Sequence, residues 1–246
     1  MFIDDYIATL HTQLDTLKTK QPAVEQAAQL VADSLRTGHV VWLHEIVHAI
    51  QRDFINRAGG LASIRSFSWS FSMDESLPKI FKTQRKKSSN PELQAEFVRL
   101  VLKQSSVREG DIMIMGSVSG RNVVPVELAK SSKEMGLKVI AFTSMPYAEK
   151  TPSVHPSGKS LYEFADVVLD LNTPYGDAAM DIPGYESSLV PLSGFSAITM
   201  GWMLWGRVLE LMGTDAQPPA AFMSVNREGG QDFFDKIIEL WDSRGY

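Results

Sequence analysis

A chain of 246 residues, 44% of them hydrophobic, is long enough for one large α/β domain with a full core. The absence of cysteine excludes disulfides, thiol catalysis and cysteine-based zinc sites. A net charge of −5 offers no general attraction for nucleic acid or an anionic membrane, so neither is expected as a partner.

Acidic residues in Met1 to Tyr6 stand where a signal peptide would carry a basic region, which implies a cytoplasmic location. From Ile3 to Arg36, apolar residues recur at helical spacing with a break near Pro22, predicting two N-terminal helices over 1–37. Val40 to Leu43 is the first strand, followed by a helix through about Arg57 that stops at Gly59 and Gly60. Ile64 to Phe67 is a weaker second strand. Residues 69–90 read as a loop-rich excursion whose basic run, Lys79 to Lys87, is a solvated face or a means of steering an anion. A helix from Pro91 to Gln104 precedes a βαβ unit made of strand Ile112 to Met115, helix Val123 to Met135 closed by Gly136, and strand Lys138 to Phe142. A short helix around Lys159 to Phe164, a strand from Asp166 to Asp170, and helices over Ser193 to Met212 and Asp232 to Trp241 complete the chain. The uncharged run Ser187 to Gly206 is interrupted by Pro191, Gly194 and Gly201, and reads as a buried or subunit-facing helix and not as a membrane span.

Strands alternating with helices predict one α/β domain, a doubly wound parallel five-stranded sheet with flanking helices over 38–246, whose ligands bind beyond the carboxyl ends of the strands. The turn Gly116 to Asn122 lies at such an end. Its helix presents free N–H groups, Ser117, Ser119 and Asn122 add donors, Gly120 relieves the turn and Arg121 adds a charge, so the spacing suits a phosphate as well as an ordinary capped turn. His44-Glu-Ile-Val-His48 is a literal H-E-x-x-H, but His44 falls in the strand-to-helix turn and the local third ligand is missing, with Glu75 or Glu92 the distant candidates. No metal and no cofactor are expected.

Ser117-Val-Ser-Gly-Arg-Asn122 resembles the S-x-S-G turn of the SIS (sugar isomerase) superfamily. Arg57-Ala-Gly-Gly-Leu61, Pro125, Glu127, Thr143-Ser144, His155-Pro-Ser-Gly-Lys159, Leu161-Tyr162 and Gly176-Asp177-Ala178 extend the likeness, over nearly the whole chain, to its UPF0309 branch, which is related to phosphoheptose isomerases. The resemblance implies a single SIS-fold domain that binds a phosphorylated sugar. Sugar-phosphate isomerisation is the implied activity, with a catalytically silent sensor or an amino-sugar-phosphate lyase as alternatives.

Enediol chemistry needs a base and a proton donor. Glu127, His155 and His48 are the catalytic candidates, although Glu127 also reads as a first-turn residue complementing the helix dipole and His155 as a surface histidine. Ser117, Ser119, Gly120, Arg121, Asn122, Thr143, Ser144, Lys159 and Asp177 are the candidates for phosphosugar binding, with Asp177 equally a turn residue. The branch's first loop, G-S-G-H-S-H, is replaced here by Leu43-His-Glu-Ile-Val-His48. Bulky side chains at two glycine positions predict an obstructed sugar site and slow or absent turnover. The apolar circumference of the helix carrying Trp202 and Trp205 predicts a homodimer or larger assembly.

Overall fold

The computed structural model describes residues 1–48, 50–72, 74, 76–84 and 90–246. Glu75 and the Arg85 to Lys87 part of the basic run lie outside them. In chain order the elements are α1 (Phe2–Lys18), α2 (Gln21–Arg36), β1 (Val41–Leu43), β2 (Ile64–Ser66), α3 (Lys79–Gln84), α4 (Pro91–Gln104), β3 (Ile112–Gly116), α5 (Val123–Glu134), β4 (Lys138–Thr143), α6 (Met145–Ala148), β5 (Val167–Asp170), β6 (Ala178–Met180), β7 (Leu189–Pro191), α7 (Ser193–Met212) and α8 (Gly230–Arg244). Short 3₁₀ turns occupy Ile50–Asp53 and Leu161–Phe164.

β1 to β5 form one parallel sheet in the order β2-β1-β3-β4-β5. Alternation along each strand divides the core in two. Leu43, Ile112, Ile114, Ile140, Phe142 and Leu169 pack with Val31 and Leu35 of α2 and with Met200, Leu204 and Trp205 of α7. Met113, Met115, Val139 and Ala141 face the other way, against Val98 and Leu102 of α4 and Val126 and Leu128 of α5. The result is the doubly wound α/β architecture expected from the alternation of elements, with α1 and α2 leading into it. α1 is fastened to the sheet edge by Gln13, whose amide donates to the Leu171 carbonyl and to Ser196 Oγ, each at 2.8 Å.

Two expected features differ. The segment after β1 does not continue as a helix to Arg57: residues 44–48 are loop, His48 and Asn56 take φ of 47° and 55°, and only a 3₁₀ turn forms at Ile50–Asp53. Phe54 is the physical reason, because its fully buried ring packs against Trp202 and Trp205 of α7 at 5.6 and 6.2 Å, a tertiary anchor that fixes the segment as turns. The uncharged run before α7 is also not all helix. Leu189 to Pro191 pairs antiparallel with Ala178 to Met180 as a two-stranded ribbon, and the helix begins at Ser193.

α7 is apolar around much of its circumference and finds its cover largely within the chain, where Ala197, Met200, Leu204, Trp205, Val208 and Met212 are fully buried. That helix does not by itself require a second subunit. Among the described residues no helix is long and apolar enough to cross a membrane.

Candidate functional site

In the order β2-β1-β3-β4-β5, chain connections leave β1 in one direction and β3 in the other, so a crevice opens between the loops that follow these two strands. A cleft of about 810 Å³ lies there. It is lined by His44, Glu45, Val47 and His48 from the first loop, by Gly116 to Ser119 and Asn122 from the second, and by the first turn of α5. Its size falls within the roughly 300–1,000 Å³ of small-molecule sites.

The second loop is held from behind. Ser117 N–H donates to Phe142 O, Gly120 N–H to Ser117 O, and Leu161 N–H to Gly120 O. Thr143 Oγ1 donates to the Ser117 carbonyl at 2.7 Å. Gly120 sits at φ 62°, where a side chain is strained, and a Cβ there would meet Thr143 Oγ1 at 3.1 Å. These bonds turn the loop so that α5 begins at Val123 with no side chain capping its first turn. The N–H groups of Val123 and Val124 therefore have no partner within the helix, and Pro125 has none to satisfy. Their partial positive charge meets the hydroxyls of Ser117 and Ser119 in the lining of the cleft.

The first loop is folded against the sheet without filling the cleft. Ile46 is fully buried and Val47 nearly so, and Gly116 passes so close to Ile46 Cα that a Cβ there would lie 3.1 Å away. His44 N–H donates to Ile114 O and Gly116 N–H to Glu45 O, both at 2.8 Å. Leu43 ends β1 in the core. The bulky replacements at the glycine positions thus turn inward or lie along the wall, which leaves space where obstruction was expected. The H-E-x-x-H pattern is not on a helix, so His44 and His48 lack the one-turn spacing that a zincin site requires.

The other named residues sit elsewhere. Glu127 and His155 come together at 2.8 Å, Oε2 to Nε2, behind α5, and neither lines the cleft. Burial would raise the Glu127 carboxyl, but hydrogen bonds from Ser131 and His155 and the charges of Lys130 and Arg99 outweigh it, so its pKa lies below the ordinary value. Ser157 N–H donates to His155 Nδ1, which must therefore carry a lone pair, so Nε2 carries the proton donated to Glu127. Ser144 Oγ donates to Thr173 O at 2.7 Å, and both Thr143 and Ser144 are buried supports of the loops. Arg121 lies outside the lining, where its carbonyl accepts Val154 N–H. Lys159 also lies outside, with its ammonium 5.7 Å from the Phe164 ring. Asp177 does reach the cleft, at φ 66°, but its carboxylate accepts both Ser193 N–H and Ser193 Oγ–H at the start of α7.

Residues 5–144 match the model of the SIS domain family. The chain belongs to the SIS domain family. A UPF0309 protein of Caldanaerobacter subterraneus subsp. tengcongensis is 33% identical, with 98% of each chain covered. A second, from Halalkalibacterium halodurans, is 34% identical over 90% of this chain and 89% of that one. Among solved structures, a phosphoheptose isomerase from Francisella tularensis shares the fold at a TM-score of 0.53 and 14% identity, covering 84% of this chain and 95% of that one.

In this SIS domain the lining also includes residues to which the sequence did not point: Gln94 of α4, Tyr147 of α6 and Pro191 of β7. His44 and Glu45, legible both as part of a zinc motif and as first-loop residues directly after β1, line the cleft as that position in a doubly wound sheet implies. Nothing in the local sequence signals Gln94 or Tyr147, which arrive from elements far along the chain.

Proposed function

We propose that this SIS domain binds a phosphorylated sugar in the cleft between the first and second loops, with the phosphate against Ser117, Ser119 and the first turn of α5. The observation that carries this reading is the uncapped N-terminus of α5 opening, beside two hydroxyls, into a cleft at the β1/β3 crevice. Donors aimed at one point and a favourable helix dipole suit an oxyanion. The cavity beyond has room for the sugar. The shared fold of a phosphoheptose isomerase supports the same ligand class.

Binding and turnover separate at Glu127 and His155. Their mutual hydrogen bond and their burial away from the lining support a structural role for these two of the three catalytic candidates, while the third, His48, lines the cleft. A homodimer and a cytoplasmic location complete the proposal. The test is a thermal-shift screen of the whole chain against hexose, heptose and pentose phosphates, with the free sugars and inorganic phosphate as controls. A phosphorylated sugar is expected to raise the melting temperature in proportion to the logarithm of its concentration over Kd, and its free sugar is not. Equal responses to the two would remove the phosphate from the site.

A further inference from the structure

His44 is held as few loop residues are. Its Nδ1 lies 2.8 Å from the Phe67 carbonyl, and its ring stacks on Trp69 with centroids 4.8 Å apart and planes 7° from parallel. Phe67 packs edge-on to both rings. A carbonyl oxygen only accepts, so Nδ1 carries a proton and, in the neutral ring, the lone pair resides on Nε2. Among the described residues Nε2 has no hydrogen-bond partner, and His44 lines the cleft together with Ser117 and Ser119. Burial lowers the pKa of the imidazole, and the Phe67 carbonyl and the Glu45 charge only partly offset it, so the ring is neutral at pH 7.

His48, the other histidine of the lining, is exposed at φ 47°, with no ring contact or hydrogen bond comparable to those of His44 among the described residues. The one histidine with a fixed orientation and tautomer beside the anion site is therefore His44. We infer that His44, through Nε2, moves a proton between adjacent carbons of a sugar phosphate bound in this cleft. This rests on the phosphosugar reading above.

For an open-chain aldose, Nε2 takes the proton from C2. The C–H pair becomes the C1=C2 bond, the carbonyl π pair moves to O1, and O1 takes a proton from water. The enediol then gives its O2 proton to water, C2=O2 forms, and the electron pair of C1=C2 takes the proton from Nε2 at C1. The product is the ketose, and protons and electrons balance. Glu45, adjacent in the lining, keeps the transient imidazolium company.

The experiment uses the full chain in heavy water with the sugar phosphate that gives the largest thermal shift. Proton NMR follows the loss of the C2 proton signal, and calorimetry gives Kd. His44→Asn is the variant, because its amide still donates to the Phe67 carbonyl while Nε2 is gone. His44→Gln and His48→Asn are run beside it. Wild-type protein is expected to exchange the C2 proton, and both His44 variants to slow exchange by at least about a hundredfold, the lower end of acid–base contributions, with Kd within a few-fold of wild type. Binding without exchange in the wild type, exchange at the wild-type rate in a folded His44 variant, or loss of exchange in His48→Asn alone would each overturn the role of His44 and leave the binding reading intact. The absence of any sugar-phosphate binding would overturn both. Should neither His44 variant fold, ¹⁵N NMR of wild-type histidines decides: an Nε2–H tautomer at the ring that responds to ligand overturns the assignment.

Discussion

Glu127 and His155 are joined 28 residues apart by a 2.8 Å hydrogen bond that is almost wholly sealed from solvent. The bond ties the first half of α5 to the loop before Leu161–Phe164. Ser131 Oγ at 2.7 Å and Arg99 Nη1 at 3.2 Å complete the carboxylate, so α4, α5 and that loop meet at one side chain.

Glu127→Ala is therefore expected to lower the stability of the fold by about 2–4 kcal/mol. It leaves His155 and Arg99 without their partner, and breaking a buried pair costs more than the pair is worth intact. Arg99 is partly exposed and recovers some hydration, which keeps the cost below that of a fully sealed pair. Urea unfolding followed by circular dichroism measures the change. Stability within 0.5 kcal/mol of wild type, as is usual for surface substitutions, would show that the cluster holds nothing together.

The same carboxylate sets a pH dependence. Its pKa in the folded protein lies below the ordinary 4.5, so it contributes stability that is fully present above that value and is lost as pH falls through the lower folded value. Asp166, lowered by Lys133 and the Val139 N–H against its own burial, adds in the same direction. The melting temperature of wild type is expected to fall more steeply between pH 5 and pH 3 than that of Glu127→Gln, so that the difference between the two narrows in acid. Parallel curves over that range would contradict the assignment.

Ser119→Ala is expected to weaken sugar-phosphate binding by roughly 1–2 kcal/mol, the scale of one hydrogen bond to a charged acceptor. Calorimetric titration reads it directly. The variant should unfold as wild type does, because Ser119 lies in the cleft wall and no core residue depends on it.

Gly201→Ala tests the anchor that unmakes the expected helix after β1. Alanine is the better helix former by about 1 kcal/mol, yet a Cβ at 201 would overlap the Phe54 ring. Overpacking of this kind costs about 1–3 kcal/mol, so a net loss of stability is expected. A gain in melting temperature would mean that Phe54 is free to move aside.

The elements that the sequence states most clearly are those whose information is local. α4 runs from Pro91 to Gln104 and α7 from Ser193 to Met212, the spans expected from the sequence. The apolar run of β3, the Gly136 stop after α5 and the Ser117 to Asn122 turn are similarly self-contained, and the alternation of strands and helices is sufficient for the doubly wound class. Residues 44–57 show the limit. Their spacing favours a helix, and a contact with α7, some 150 residues away, prevents it. The β6/β7 ribbon was hidden for a related reason, since its three-residue strands carry no period long enough to read.

At the proposed site, the sequence by itself determined which turn gathers donors at a helix start, because Ser117 to Asn122 are consecutive residues whose N–H groups and hydroxyls are arranged by local turn geometry. Which side chains share that cavity was decided only by the tertiary structure. Glu127, one turn into α5, is drawn to His155 and away from the cleft, whereas His44, embedded in a pattern that reads as a zinc motif, is turned by Phe67 and Trp69 into its wall. Spacing along a chain fixes the direction of a side chain within its own element. Its partners across elements depend on packing, and there a single buried hydrogen bond outweighs the local pattern.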